Sequence, residues 1–404
     1  MADFFWETGQ LEDVIVVGGG PIGFITALGL AQAGLRVSVL ESETRVPDAP
    51  RAAVYHWSVI DGLERLGIRE EVEKAGFPRQ DYTYRVLRTG ERIAFSMDVL
   101  EGLTPFPYNL HLGQHRLAEI ALRRLAGYSH ATVRFETRLT QLSQDTDGVT
   151  VHAMTPDGGE EIRAKWLIGA DGATSTVRRQ LALSFEGMTW PERFIATNVF
   201  FDFDRHGYAR GTFQVDQDHG AVVAKLDNAG LWRCTYMEDA SLPEDSFLDR
   251  LPRKYAAMLP GIVDYTLDRA APYKMHQRSA PTYRVGRVVL AGDAAHVTNP
   301  TGGLGLTSGL LDSFALYPAL TAVILDGADP GVLDRYSDSR REIFLNRVSP
   351  QAVANKQLIF HANGGGERLE EALVTLRRLP TDRDFLLQRL MFLKSLESPP
   401  LLVN

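Results

Sequence analysis

The stretch Val14-Ile15-Val16-Val17-Gly18-Gly19-Gly20-Pro21-Ile22-Gly23 decides the fold. Its first four residues, three of them β-branched valines, read as a buried strand, and Ile22 to Ala33, closed by Gly34, reads as a helix. Arg36 to Leu40 forms a second buried strand, and a β-α-β unit of this kind needs a parallel sheet covered by helices. The G-x-G-x-x-G spacing therefore falls on a strand-to-helix turn. There Gly18 permits the tight turn, Gly20 lets backbone approach a pyrophosphate, and Gly23 lets the helix pack closely on the sheet. Pro21 and Ile22 start the helix, whose unpaired amides face the phosphates. Glu41, followed by Ser42, ends the next strand near the spacing at which an acid meets a ribose hydroxyl. This pattern admits FAD, NAD or NADP equally. Val14 to Leu35 also runs 22 residues without a charge, which is long enough for a membrane span, but its six glycines and one proline suit a buried strand-turn-helix, so no span is expected.

The rest of the 404-residue chain has room for roughly two or three domains. Hydrophobic residues at 44% and charged residues at 23% are ordinary for a globular protein. A net charge of -8 offers no positive field for phosphate backbones, so nucleic acid is not an expected partner. The single cysteine, Cys234, excludes an internal disulfide and a four-cysteine zinc site, and no metal is expected. A cytoplasmic location fits, because the amino terminus lacks a basic stretch followed by an apolar run.

Ala118 to Leu125 reads as a helix, and Val133 to Phe135, Val149 to Met154 and Trp166 to Ile168 read as strands. From Phe194 to Met237 the pattern changes to longer β-rich runs that suggest a separate antiparallel sheet, and Arg287 to Leu290 resumes the buried style of the first strands. The expected division is a discontinuous nucleotide-binding domain over 1–75, 101–182 and 272–345, an inserted β domain over 76–100 and 183–271, and helices over 346–404. Leu290 to His296 leads into Asn299-Pro300-Thr301-Gly302-Gly303-Leu304-Gly305-Leu306, and Thr307 to Leu325 reads as a helix kinked or broken at Pro318. A second helix amino terminus behind a glycine loop suits the pyrimidine edge of a flavin, which gains negative charge on reduction. Asp293 can accept hydrogen bonds from ribityl hydroxyls.

Gly18 to Gly23 with Glu41, then Gly169-Ala170-Asp171-Gly172 through Arg178, then Gly292 to His296 with Pro300 to Gly305, together resemble the para-hydroxybenzoate hydroxylase family of single-component flavoprotein monooxygenases. The resemblance follows the family's order from residue 14 to about 315. It implies an α/β fold in which a discontinuous Rossmann-type FAD-binding domain carries an inserted antiparallel β-sheet substrate domain and a C-terminal helical segment. It also implies site roles. Glu41 binds the adenosine ribose, Arg51 and Gln114 contact FAD, and Asp171 and Gly172 touch both FAD and the nicotinamide cofactor with support from Arg178. Asp293 meets the ribityl-pyrophosphate region, Pro300 lies beside the isoalloxazine ring, and Gly303, Gly305 and Leu306 offer backbone to its pyrimidine edge. One departure is Thr307, where many relatives carry asparagine.

The chain has no second G-x-G-x-x-G unit, which fits a family in which NADPH or NADH binds only transiently to reduce FAD. The implied reaction uses O2, through a flavin hydroperoxide, to hydroxylate a small aromatic compound. A phenol reacts better as phenolate, so a base is useful, and His276 and His56 are the candidates. Phe201, Phe203, Phe213 and Tyr236 are candidates to line the substrate site. Trp190 to Asn198, His206 to Tyr208, Gly230 to Arg233 and Glu238 to Leu242 resemble para-nitrophenol 4-monooxygenases, which implies a nitrophenol oxidised to a quinone with loss of nitrite. A homodimer is compatible with the sequence. A flavin-binding redox sensor, or a dehydrogenase without oxygen insertion, stays open as an alternative.

Overall fold

The computed structural model describes residues 11–48, 52–259, 264–361 and 367–402, so Arg51 lies outside the described residues. Strand Glu12–Val17 holds the centre of the first sheet, with Val37–Leu40 on one side and Gly158–Gly169 on the other, both parallel to it. Ala131–Arg134 and Val288–Leu290 extend the parallel arrangement outward. A strand covered on both faces must be apolar throughout, and Val14, Ile15 and Val16 are wholly buried. Val288–Leu290 arrives from far along the chain, after the second sheet, and docks beside Gly158–Gly169.

Helix Pro21–Gln32 lies between this sheet and helix Leu304–Leu325. Thr26 Oγ1 donates to Ser313 Oγ at 2.8 Å, and a Cβ on Gly29 would come within 2.5 Å of the Tyr317 ring. Leu304–Leu325 is long and apolar enough to cross a membrane by length and composition, but its residues Leu306 to Phe314 are buried inside the protein. The helix continues through Pro318 without the expected break. Proline removes one N–H there, and the packing of the surrounding turns outweighs that loss.

The second sheet runs in the order His296–Val297, Thr266–Ser279, Glu186–Phe200, Leu231–Asp239, Ala221–Lys225, Gly211–Val215, Asp81–Val86, Arg92–Ser96. It is not wholly antiparallel as expected, because Gly211–Val215 pairs in parallel with Asp81–Val86. The antiparallel expectation came from local hairpins, whereas this pair joins strands distant in sequence through a crossover. Thr266–Ser279 stays in the sheet through Ser279, so the return to the first sheet comes after residue 279 rather than at 272. Alternation along Leu231–Asp239 sends Trp232, Cys234 and Tyr236 into a core with Phe203, Tyr255 and Met258, and sends Arg233 and Thr235 to the opposite face.

Helices Gly331–Ile343, Ser349–Phe360, Glu367–Leu376 and Arg383–Met391 close the chain. They are anchored by charge. Asp312, fully buried, accepts hydrogen bonds from Gly292 N at 2.9 Å, Arg340 Nε at 2.7 Å and His296 Nε2 at 2.7 Å. Arg340 donates onward to the carbonyls of Leu396 at 2.6 Å and Ser308 at 3.2 Å. Burial pushes the Asp312 carboxyl up, but His296 and Arg340 pull it below its ordinary value.

Replacing Arg340 by leucine would strand the Asp312 carboxylate, and we expect a loss of about 3–5 kcal/mol in chemical denaturation at neutral pH. Because the folded pKa of Asp312 is depressed, this pair contributes stability above the unfolded carboxylate value and loses it as pH falls through the folded one. The penalty in the leucine variant should therefore shrink on acidification. A loss under about 1 kcal/mol at neutral pH would contradict this assignment.

Candidate active site

A cavity of about 1320 Å³ runs between the two sheets. At one end lies the glycine turn. Gly18 sits at φ 108°, and a Cβ there would be 2.4 Å from the Ala170 carbonyl oxygen, while a Cβ on Gly23 would be 1.9 Å from that of Gly18. Gly20, Pro21 and Ile22 face the cavity, and the helix they begin has no acid in its first turn to compete with an anion. The Glu41 carboxylate accepts from Gly19 N at 2.6 Å and Glu43 N at 2.9 Å, and with Ser42 it borders the cavity.

Asp171 and Gly172 also border it. The Asp171 carboxylate caps the short helix behind it, accepting from Thr176 N at 2.6 Å, Val177 N at 3.1 Å and the Ser175 hydroxyl. Arg178 does not reach the cavity. It lies 3.6 Å over the Phe185 ring and donates to the Ala173 and Ala294 carbonyls, both at 2.8 Å, which ties the Asp171 loop to the Asp293 loop.

The second glycine loop lines the cavity through Pro300 to Leu306, and Asp293 and Gln114 also border it. Gly302 and Gly303 take φ values of 92° and 70°, which turn the chain sharply into helix Leu304–Leu325. That helix also lacks an acid in its first turn. Gln277 braces the loop, accepting from Asn299 N and Nδ2 at 3.1 Å and donating to Thr298 Oγ1 at 2.8 Å and Ser349 Oγ at 2.7 Å. Thr307 is fully buried and bonds back to the Gly303 carbonyl at 3.1 Å, so its hydroxyl is spent within its own helix. Two helix amino termini, a carboxylate beside the first, and side-chain-free backbone at both fit the pyrophosphate, ribose and pyrimidine of FAD.

Beyond the loop the cavity becomes aromatic. Tyr82, Tyr84, Phe95 and Phe213 pack ring against ring on the sheet, with centroids 5.0 to 6.2 Å apart. Phe213 borders this cavity, whereas Phe203 and Tyr236, expected beside it, are in the core on the other side of the sheet and Phe201 packs against that core. Their strand parity is the reason. Tyr82 and Tyr84 were missed, although the alternation Tyr82-Thr83-Tyr84 was the available signal.

His56 and His276 both border the cavity but in different settings. His276 bonds to Thr189 on an exposed stretch of strand, and burial with Arg278 and Lys274 lowers its pKa. His56 is set deeper. Its Nε2 lies 2.7 Å from the Gly302 carbonyl, which only accepts, so Nε2 carries the proton and Nδ1 presents a lone pair. That Nδ1 is buried beside the Asn109 side chain, and burial lowers the pKa of the ring against the opposing pull of the Gly302 carbonyl and Asn109, keeping it neutral. Beside it, Asn109 accepts from Trp57 N at 2.9 Å and donates to the Tyr82 hydroxyl at 2.9 Å. The Tyr82 hydroxyl lies 3.0 Å from His111 Nε2, whose ring, pushed down to about 4 by burial, is held by the Lys225 carbonyl at Nδ1.

Residues 12–349 match the FAD binding domain family. The chain is 42% identical to 6-hydroxy-3-succinoylpyridine 3-monooxygenase of Pseudomonas putida over 96% of its own length and 98% of that protein's. It is 43% identical to para-nitrophenol 4-monooxygenase of a Pseudomonas species over 96% of each chain. The crystal structure of p-nitrophenol 4-monooxygenase from Pseudomonas putida superposes with a TM-score of 0.92 at 40% identity, covering 96% of this chain and 98% of that one.

The 1.9 Å approach at Gly23 makes a prediction possible. Gly23→Ala should force the turn open and weaken FAD retention by roughly tenfold or more, read as flavin absorbance per protein after gel filtration. Full retention would contradict the close-packing role.

Proposed function

The chain belongs to the FAD binding domain family and is an FAD-dependent aromatic monooxygenase, and from that premise we propose that its substrate is a phenol whose hydroxyl is set against His56 Nδ1. The observation that carries this proposal is the buried Nδ1 lone pair of that ring, which borders the cavity beside Asn109 and the Gly302–Gly303 loop. Bound FAD supplies the redox chemistry, taking a hydride from NADPH or NADH and activating O2 for insertion into the ring.

The residues of the chain do the rest. The amides at the start of helix Leu304–Leu325 would hold the flavin pyrimidine and favour negative charge on it. The phenol proton moves to His56 Nδ1, and the resulting imidazolium keeps its Nε2–H on the Gly302 carbonyl. Tyr82, Tyr84, Phe95 and Phe213, with Leu379 from the turn before helix Arg383–Met391 and Leu386 and Leu390 from that helix, hold the ring and exclude water. His276, near the exposed Thr189, is assigned to the rim rather than to the proton. Pro300 is assigned to the flavin side of the ring. A nitrophenol, converted to a quinone with release of nitrite, is the specific substrate favoured by the similarity to para-nitrophenol 4-monooxygenase. We take the first sheet as the FAD-binding part, the second as the substrate-binding part, O2 and a small aromatic as the partners, and the cytoplasm as the location.

Replacing His56 by asparagine should cost about 10²–10⁴ in turnover of a phenol with a tyrosine-like pKa of roughly 10. The loss should be much smaller for 4-nitrophenol, which ionises more readily. Since burial lowers the pKa of His56, wild-type turnover should hold as pH drops through the ordinary histidine value and fall only below it. Equal losses for both phenols, measured by phenol-stimulated NADPH or NADH oxidation, would sink the assignment of His56 as base.

A further inference from the structure

Arg389 lies on helix Arg383–Met391 and borders the aromatic part of the cavity together with Phe385, Leu386 and Leu390. The helix is fixed there. Asp382 caps its start by accepting from Phe385 N at 3.0 Å, and Trp57 Nε1 donates to the Leu390 carbonyl at 3.2 Å. Trp57 follows His56 in the chain, so the proposed base and Arg389 are brought to one chamber by adjacent residues.

Two other arginines near this helix are neutralised on the surface, Arg377 by Glu91 and Glu370 and Arg378 by Asp382. Arg389, like the exposed Arg383, forms no ion pair with a carboxylate among the described residues, but unlike Arg383 it borders the cavity. Its neighbours are the Phe385 ring, 6.0 Å away, and the Tyr84 hydroxyl, whose pKa is raised by burial and drawn back by the guanidinium. A half-buried cation facing an apolar, aromatic chamber loses hydration, and a ligand anion or strong acceptor offsets that loss. The planar guanidinium fork matches a planar group that presents two oxygens.

We infer that Arg389, with the Tyr84 hydroxyl beside it, binds a planar two-oxygen substituent on the substrate ring, so that the chamber selects phenols bearing a carboxylate or a nitro group. This rests on the phenol reading above and narrows it. Arg389 acts as a specificity residue and takes no part in proton transfer.

The test uses the oxidised FAD-loaded enzyme and the change in flavin absorbance on titration with 4-nitrophenol, 4-hydroxybenzoate and 4-methylphenol. Arg389→Leu should weaken 4-nitrophenol, 4-hydroxybenzoate or both by roughly ten- to hundredfold and leave 4-methylphenol within about threefold. Arg389→Lys preserves the packed stem and the charge without the fork, so it should recover part of the loss. It also gives a folded comparison if the leucine variant fails to load FAD. Weakening of the carboxylate alone identifies charge as the selected property, and weakening of both identifies the paired oxygens. An equal effect on all three phenols, or none, overturns the assignment. Wild-type binding of 4-methylphenol but of neither two-oxygen phenol overturns it while sparing the phenol reading, and failure to bind any phenol overturns both.

Discussion

The buried Asp312 carboxylate is the constraint on which the rest depends. It meets the Gly292 amide, the His296 ring and the Arg340 guanidinium at once, and Arg340 passes the connection to Ser308 in the glycine-loop helix and to Leu396 at the end of the C-terminal helices. A buried ion pair is weak evidence for stability by itself, because desolvation opposes the attraction. What it supplies here is registration. The loop carrying Asp293, the helix start that faces the cavity and the helical segment that closes the aromatic chamber are all referred to one carboxylate.

Around that anchor the cavity is divided by chemistry. One end is backbone, with two helix amino termini and the Glu41 carboxylate, and it suits a charged, elongated cofactor. The other end is aromatic rings with a few polar atoms. The Gly302–Gly303 turn joins the two and holds the His56 proton on Nε2, so that Nδ1, beside Asn109, carries the lone pair offered to a substrate. A histidine kept neutral by burial and held in one tautomer by a carbonyl is ready to take a proton at neutral pH.

Much of the first sheet was legible in the sequence because its signals are local. A fully buried parallel strand must be apolar, a turn at φ 108° favours glycine, and a close strand–helix approach excludes a side chain, so Val14 to Gly23 announces itself. The second sheet was legible as strands but not as faces. Phe203 and Tyr236 were assigned to the cavity because aromatic content does not report parity, which is fixed by how distant strands pair. The same applies to Asp81–Val86, whose parallel neighbour lies far along the chain. Asp312, Arg340 and Arg389 sit in helices with no motif around them, and their roles arise only from tertiary contact. His56 stood out in the sequence merely as a histidine, and its tautomer depends on a carbonyl far away in the chain.

The central claim is that this cavity inserts oxygen into a phenol ring, and isotopically labelled O2 tests it most directly. The purified FAD-loaded enzyme, supplied with reductant and 4-nitrophenol or 4-hydroxybenzoate, should place one labelled atom on the ring of the product, quinone or hydroxylated phenol, for each reductant consumed. Label recovered only in hydrogen peroxide or water, with the phenol unchanged while reductant is oxidised, would contradict it.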